Sequence, residues 1–179
     1  MTADRASLVE RARTLQDTFD RMFSAPPRGQ DAPREALLVL RVGPDCYAVR
    51  RSEVAGAFAG KRITRVPSAV AELLGVVGLR RAIVPAYDLR ALLGAGRGET
   101  SRWLLVVAGP VPAGLAFDAL EGHEQVPREA MASEPRTHAS AEFINGMVRL
   151  RERVLPVLDL PSIVQRIEQL ARSGGHKER

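Results

Sequence analysis

Cysteine is almost missing from this chain of 179 residues: Cys46 stands alone. That excludes an intrachain disulfide and a zinc site built on cysteines. Aromatic residues make up only 4%, so a core has to be assembled from Val, Leu, Ile and Ala. Lysine is scarce as well, with Lys61 and Lys177 the only two, which leaves the basic character to arginine. His123, His138 and His176 are scattered without ligand spacing, which speaks against a metal centre. No phosphate-binding glycine loop, serine elbow or metal-ligand pair occurs. No apolar run approaches the ~20 residues of a membrane span. The opening stretch, MTADRASLVERARTLQ, is charged throughout and lacks an apolar signal core. A soluble, cytoplasmic protein with no catalytic residues, metal or cofactor, and no membrane insertion, is the expectation.

What is present is an ordinary globular composition. Apolar residues account for 45%, enough for one compact domain or two small packed ones. The formal net charge is +5 and the sequence pI about 10.3. The 21 acidic residues are interspersed among the basic ones, so no long block of one sign exists. Such a charge permits a nucleic-acid partner without requiring one.

The strongest internal signal is a repeat. LGVVGLRRAIVPAYDLRALLG over 74–94 aligns without a gap on NGMVRLRERVLPVLDLPSIV over 145–164. Gly75 meets Gly146, Val77 meets Val148, Leu79 meets Leu150 and Arg80 meets Arg151. Pro85 meets Pro156, Asp88 meets Asp159 and Leu89 meets Leu160. Apolar run, charged turn, apolar run, Pro and Asp-Leu describe a β-hairpin feeding a short helix. Two copies indicate two similar halves rather than a solenoid.

Residues 4–24 are predicted helical, with Leu8, Ala12, Leu15, Phe19 and Met22 on one face. That helix either packs back on its own domain or docks on another protein. APPRGQDAP over 25–33 reads as a linker, so residues 1–34 are assigned to helix and linker. The body follows over 35–172, with a polar tail over 173–179. In the first half, strands are predicted over 37–42, 46–49, 55–59 and 62–66. A helical turn is expected at 52–54 and a short helix over 68–73, before the first hairpin and its helix at 88–93. The glycine-rich GAGRGET over 94–100 marks a boundary. Strands over 103–107 and 113–117 then restart the pattern, and 118–126 parallels 52–59. Residues 127–141 read as a long polar loop. A final helix over 160–171 places Ile163, Val164, Ile167 and Leu170 on one face. Short strands joined by tight turns indicate small antiparallel barrels.

These residues resemble the CheW-like domain family, the coupling module of bacterial chemosensory systems. The family pattern Gly-Val-ϕ-Asn-Leu-Arg-Gly-ϕ-ϕ-Val-Pro-ϕ-ϕ-Asp-Leu-Arg, with ϕ apolar, stands here from Gly75 through Arg90. Ile63-Thr64-Arg65-Val66-Pro67 and Gly114-Leu115-Ala116-Phe117-Asp118 also fit. The resemblance spans 35–166. It implies a mainly β fold of two intimately packed five-stranded SH3-like barrels, here with short helices, an N-terminal amphipathic helix and a C-terminal helix. It also implies a non-catalytic adaptor recruited to membrane-associated receptor arrays. Its partners would be chemoreceptor cytoplasmic tips, the regulatory domain of a CheA-type histidine kinase, and other CheW-like proteins. The sequence departs from the pattern at four places. Gly78 replaces the family Asn, Arg81 replaces the turn Gly, and Arg151-Glu152-Arg153 lacks that Gly as well. Arg50 and Arg51 stand where the family is less charged.

The resemblance places a receptor-facing groove between the barrels, lined partly by the segment around Val54–Phe58, with Val54, Gly56 and Phe58, and by Gly75–Pro85, with Gly75, Val77 and Pro85. It places kinase contact at an exposed apolar barrel end. Arg80, at a hairpin tip, either grips a receptor carboxylate through its planar fork or pairs within its own domain. Val54, Phe58 and Val77 are either an apolar patch for a helical partner or core. A docking role for the N-terminal helix would fall to Leu8, Leu15, Phe19 and Met22. Asp88 and Asp159 invite a reading as paired catalytic carboxylates, but both fall at strand-to-helix junctions, where Asp is a good cap. From another class, a small-barrel basic nucleic-acid binder stays open as the alternative, although stacking residues are few.

Overall fold

The computed structural model describes residues 33–79, 82–97, 101–132 and 142–174. The expected N-terminal helix lies outside them, as does Arg80. The compact unit begins at Pro33. Its first half contains β1 (Arg34–Val42), β2 (Asp45–Arg50), a 3-10 turn (Arg51–Glu53), β3 (Val54–Ala59), β4 (Leu73–Leu79), β5 (Ala82–Asp88) and α1 (Leu89–Leu92). The second half contains β6 (Trp103–Val107), β7 (Gly114–Phe117), β8 (Ala119–Pro127), a 3-10 turn (Arg128–Ala130), β9 (Met131–Ala132), β10 (Ile144–Leu150), β11 (Arg153–Leu158) and α2 (Leu160–Gly174).

The strands form two sheets, ordered β8-β1-β2-β11-β10-β9 and β3-β6-β7-β5-β4. The fold is mainly β, as the resemblance implies, but the repeat and the sheets do not coincide. β1 and β2 join the sheet of the second half, while β6 and β7 join that of the first. Two parallel pairings make the exchange: Val157 opposite Ala48 joins β11 to β2, and Ala86 opposite Gly114 joins β5 to β7. The glycine-rich stretch over 94–100 therefore divides the repeats in sequence without dividing the sheets.

Each sheet rolls up through the segment that follows its edge strand. Beyond β3, Thr64 and Val76 exchange two backbone hydrogen bonds of 2.8 Å, linking the exit of one edge strand to the other edge, β4. Beyond β8, the 3-10 turn leads to β9, which pairs with β10. The edges are thereby paired instead of left open. Of the strand expected over 62–66, only the bridge at Thr64 forms. The helix expected over 68–73 is absent: Ser68 Oγ accepts the Val70 N–H and Leu73 already enters β4. A serine side chain that bonds the backbone this way competes with helix. The supposed loop after Pro127 contains a 3-10 turn and β9, while residues 133–141 lie outside the described set. The last helix continues through Gly174, past the point where a polar tail was expected.

Burial follows the two-residue period of a strand covered on both faces. In β1, Leu37 and Val39 fill the interior of one sheet with Val148, Leu155 and Val157. Leu38, Leu40 and Val42 face the other way, into a core shared with Tyr87, Leu105, Phe117 and Leu158 and with both helices. β6 repeats this: Leu104 and Val106 line the second interior with Val77, Ala86 and Ala116, and Leu105 and Val107 face the shared core. Interiors this small accept Val, Leu and Ala, which accounts for the shortage of aromatics. Each buried aliphatic side chain contributes about 1.5–3 kcal/mol.

Candidate functional site

The β4–β5 hairpin is fixed by a bulge at Gly75, where the register shifts between Leu73 and Gly75. Gly75 has φ 144, and a Cβ there would lie 2.1 Å from the Thr64 carbonyl oxygen. Only glycine fits a strand pressed this closely against the closing segment. From the bulge onward, Val76 opposes Pro85, Val77 opposes Val84 and Gly78 opposes Ile83. Pro85 comes one residue before the parallel pairing with β7 begins at Ala86. Pro156 stands in the same relation to Val157 and β2, so neither proline interrupts the parallel ladder.

Alternation along this hairpin decides which side chains a partner can touch. Val77 is 1% exposed and belongs to the sheet interior. Val54 is 4% exposed and belongs to the shared core. The apolar patch considered for Val54, Phe58 and Val77 is therefore not an outer surface. Phe58 is half-buried against the interior that holds Val77, with the Lys61 ammonium 5.7 Å from its ring centroid. Gly56 lies beneath the same ring, 3.0 Å from where its Cβ would stand.

The outer face carries the residues in opposite phase. Val76, Gly78, Ile83 and Pro85 point outward in two cross-strand pairs, and none is charged. Ile83 is 74% exposed, and its repeat equivalent on β11, Val154, is 52% exposed. The sequence reading covers Gly75–Pro85 as a segment and names Pro85, but it singles out neither Val76 nor Ile83 and does not include Val154. The missed signal was phase: with Val77 inward, period two turns Val76 and Ile83 outward.

The second hairpin shows how the missing turn glycine is accommodated. Leu150 pairs with Arg153, leaving Arg151 and Glu152 as the turn. Arg151 takes φ 53, the only positive φ of a non-glycine among the described residues. Arg151, the equivalent of Arg80, bears the cost of the left-handed conformation, while Glu152, in the place of the family's turn glycine, does not adopt it.

The two repeat aspartates are caps. Asp88 Oδ1 accepts from the N–H groups of Arg90 at 3.0 Å and Ala91 at 3.3 Å. Asp159 accepts from the Ser162 N–H and Oγ–H. Their own N–H groups donate to equivalent carbonyls, of Glu72 and Phe143. Glu53 ties the halves together: Oε1 meets Arg50 Nη1 at 3.3 Å and Oε2 accepts the Leu160 N–H at 3.3 Å. Burial pushes its carboxyl above the usual carboxylate range, partly offset by these two partners. No helix among the described residues is long and apolar enough to cross a membrane.

Comparison with known proteins agrees with this architecture. The CheW-like domain family matches residues 36–168. The chain is 27% identical over 140 residues to the probable chemotaxis protein CheW of Rhizobium etli, covering 75% of this chain and 90% of that protein. It is 25% identical over 158 residues to protein FrzA of Myxococcus xanthus, covering 85% and 96%. Among solved structures it is similar to the scaffolding protein TtCheW of Thermoanaerobacter tengcongensis. There the TM-score is 0.65 at 19% identity, over 70% of this chain and 89% of that one.

Proposed function

The chain belongs to the CheW-like domain family, and from that premise we propose that it is a non-catalytic cytoplasmic adaptor. It couples chemoreceptor cytoplasmic tips to the regulatory domain of a CheA-type histidine kinase in a chemosensory or motility pathway. It also contacts other CheW-like proteins and is carried to membrane-associated arrays by its partners. The observation that supports bridging is the duplicated exposure of Ile83 and Val154 on equivalent strands of different sheets. An adaptor needs two faces, and a solvent-exposed β-branched side chain on each hairpin offers one per sheet. The uncharged row of Val76, Gly78, Ile83 and Pro85 suits an apolar partner face, and Arg80 beside it in sequence suits a carboxylate. Phe58 and Gly56 support the row from β3. Val54, Gly75 and Val77 serve by holding the hairpin in place.

Each contact of such an adaptor can be weak, because simultaneous engagement multiplies them. The test is capture of a CheA-type kinase and receptors on the immobilised full chain from lysate of the source organism. Recovery of both supports the adaptor; recovery of neither overturns it. The nucleic-acid alternative gains nothing from the fold. The described aromatics Tyr87, Phe117 and Phe143 are buried, and Tyr47, Phe58 and Trp103 are half-buried, leaving no stacking platform among them.

A further inference from the structure

Arg50 and Arg51 are the departure from the family pattern that the adaptor role does not use. The structure shows what they join. The end of β2 lies beside the start of β1 and the corner after β8, around a concavity of about 870 Å³. Arg34, Arg50, Arg51 and Arg128 all line it, with Glu35 the one carboxylate in the lining. Three separate chain corners, two from the first half and one from the second, supply those four guanidinium groups. The corners are bound to each other, since the Arg128 N–H donates to the Pro33 carbonyl at 3.1 Å.

The internal demand on these arginines is small. Arg50 meets Glu53 at 3.3 Å, and Arg51 Nη1 donates to the Val54 carbonyl at 2.6 Å. These bonds hold the two side chains in place while each guanidinium keeps further donors, since arginine has five. Arg128 is exposed and meets Glu35 only at 3.7 Å, a surface pair worth about 0–1 kcal/mol and readily exchanged. Arg34 is exposed and has no ion-pair partner among the described residues. With Glu53 counted beside Glu35, four positive charges stand against two negative around one concavity, and two of the guanidinium groups are preordered.

We propose that this concavity binds an acidic segment of a partner protein, two or more of whose carboxylates are gripped by Arg34, Arg51 and Arg128. Guanidinium forks match carboxylates in bidentate geometry. No aromatic side chain lines the site, so the bases of a nucleic acid would have nothing to stack on. The chain's remaining segments contain no acidic run. Residues 1–32 carry five arginines against five carboxylates, and residues 133–141 carry one of each. The site is separate from the β4–β5 hairpin, so the inference stands whether or not the adaptor reading does.

The test uses the full chain and a fluorescein-labelled oligoglutamate peptide, followed by anisotropy at fixed moderate salt. Two variants decide it. Arg34→Glu/Arg128→Glu reverses two exposed charges in the site. Lys61→Glu/Arg62→Glu/Arg65→Glu reverses three exposed charges on the segment between β3 and β4. Wild type and the second variant should bind alike, and the first should bind at least about tenfold more weakly, as loss of charge-assisted contacts demands. Unchanged thermal unfolding of the first variant shows that it is folded; if it is not, Arg34→Gln/Arg128→Gln replaces it, with the same direction expected. No binding by wild type, or equal loss in both variants, overturns the proposal. So does tighter binding of a single-stranded oligonucleotide that is lost in the site variant, which would assign the arginines to nucleic acid. Kinase capture that persists in the site variant leaves the adaptor reading intact, so the two ideas fail separately.

Discussion

The Leu160 N–H donates to Oε2 of Glu53 at 3.3 Å, so the turn that closes β2 caps a helix 107 residues further along the chain. The helix belongs to the second repeat and the turn to the first. The pair therefore reports on the reciprocal packing of the two halves.

Its pH dependence has a definite sign. Burial raises the Glu53 carboxyl above its usual range, with Leu160 and Arg50 pulling the other way. A folded value above the unfolded one contributes stability in full below the unfolded value, and that contribution is lost as pH rises through the folded one. Glu53→Gln keeps an acceptor for Leu160 but does not titrate. Denaturant titrations at steps from about pH 4 to pH 7 should show wild type losing stability relative to the variant as pH increases. Parallel profiles would contradict this.

Gly75→Ala should destabilise by about 2–4 kcal/mol, because a Cβ would strike the Thr64 carbonyl that closes the sheet. Gly78→Ala meets nothing within 4 Å and should stay within about 0.5 kcal/mol of wild type. Urea denaturation of both gives the comparison; equal losses would mean that the bulge does not act through Thr64.

Arg151→Gly should stabilise by about 1 kcal/mol, since φ 53 is unfavourable for arginine and free for glycine. The same denaturation assay reads it. A loss of stability would mean that the Arg151 side chain makes contacts worth more than the strain.

Ile83→Asp and Val154→Asp should leave stability within about 0.5 kcal/mol, because both side chains point into solvent. Each should nevertheless weaken capture of a partner, and not the same partner, since they lie on different sheets. Quantifying the captured kinase and receptors for each variant separates these outcomes. Full capture by both would remove the hairpins from the interface.

Much of this was legible in the sequence because it is local. The gapless repeat places Pro85 and Pro156, the Asp88 and Asp159 caps and both hairpins where they stand. The exchange of strands was not, because nothing near Ala48 or Ala86 signals a parallel partner in the other half. Such pairing is decided by the shared core. The segment after β3 misled for a related reason: Ile63 and Val66 look like strand, yet Thr64 alone bridges. On the β4–β5 hairpin the sequence named Val77 and Pro85 without telling inward from outward, and only burial shows that Val77 is core and Ile83 surface. The arginine site depended on tertiary structure, since Arg34, Arg50 and Arg128 are far apart in sequence and meet only at the corners of one sheet.

The most direct test of bridging is co-sedimentation. Receptor-bearing membranes and the purified regulatory domain of the CheA-type kinase, both from the source organism, are pelleted with and without the full chain. The kinase domain should pellet with the membranes only when the chain is present, and Ile83→Asp or Arg80→Ala should reduce that fraction severalfold while remaining folded. A kinase fraction in the pellet that does not change on adding the chain would contradict the coupling role.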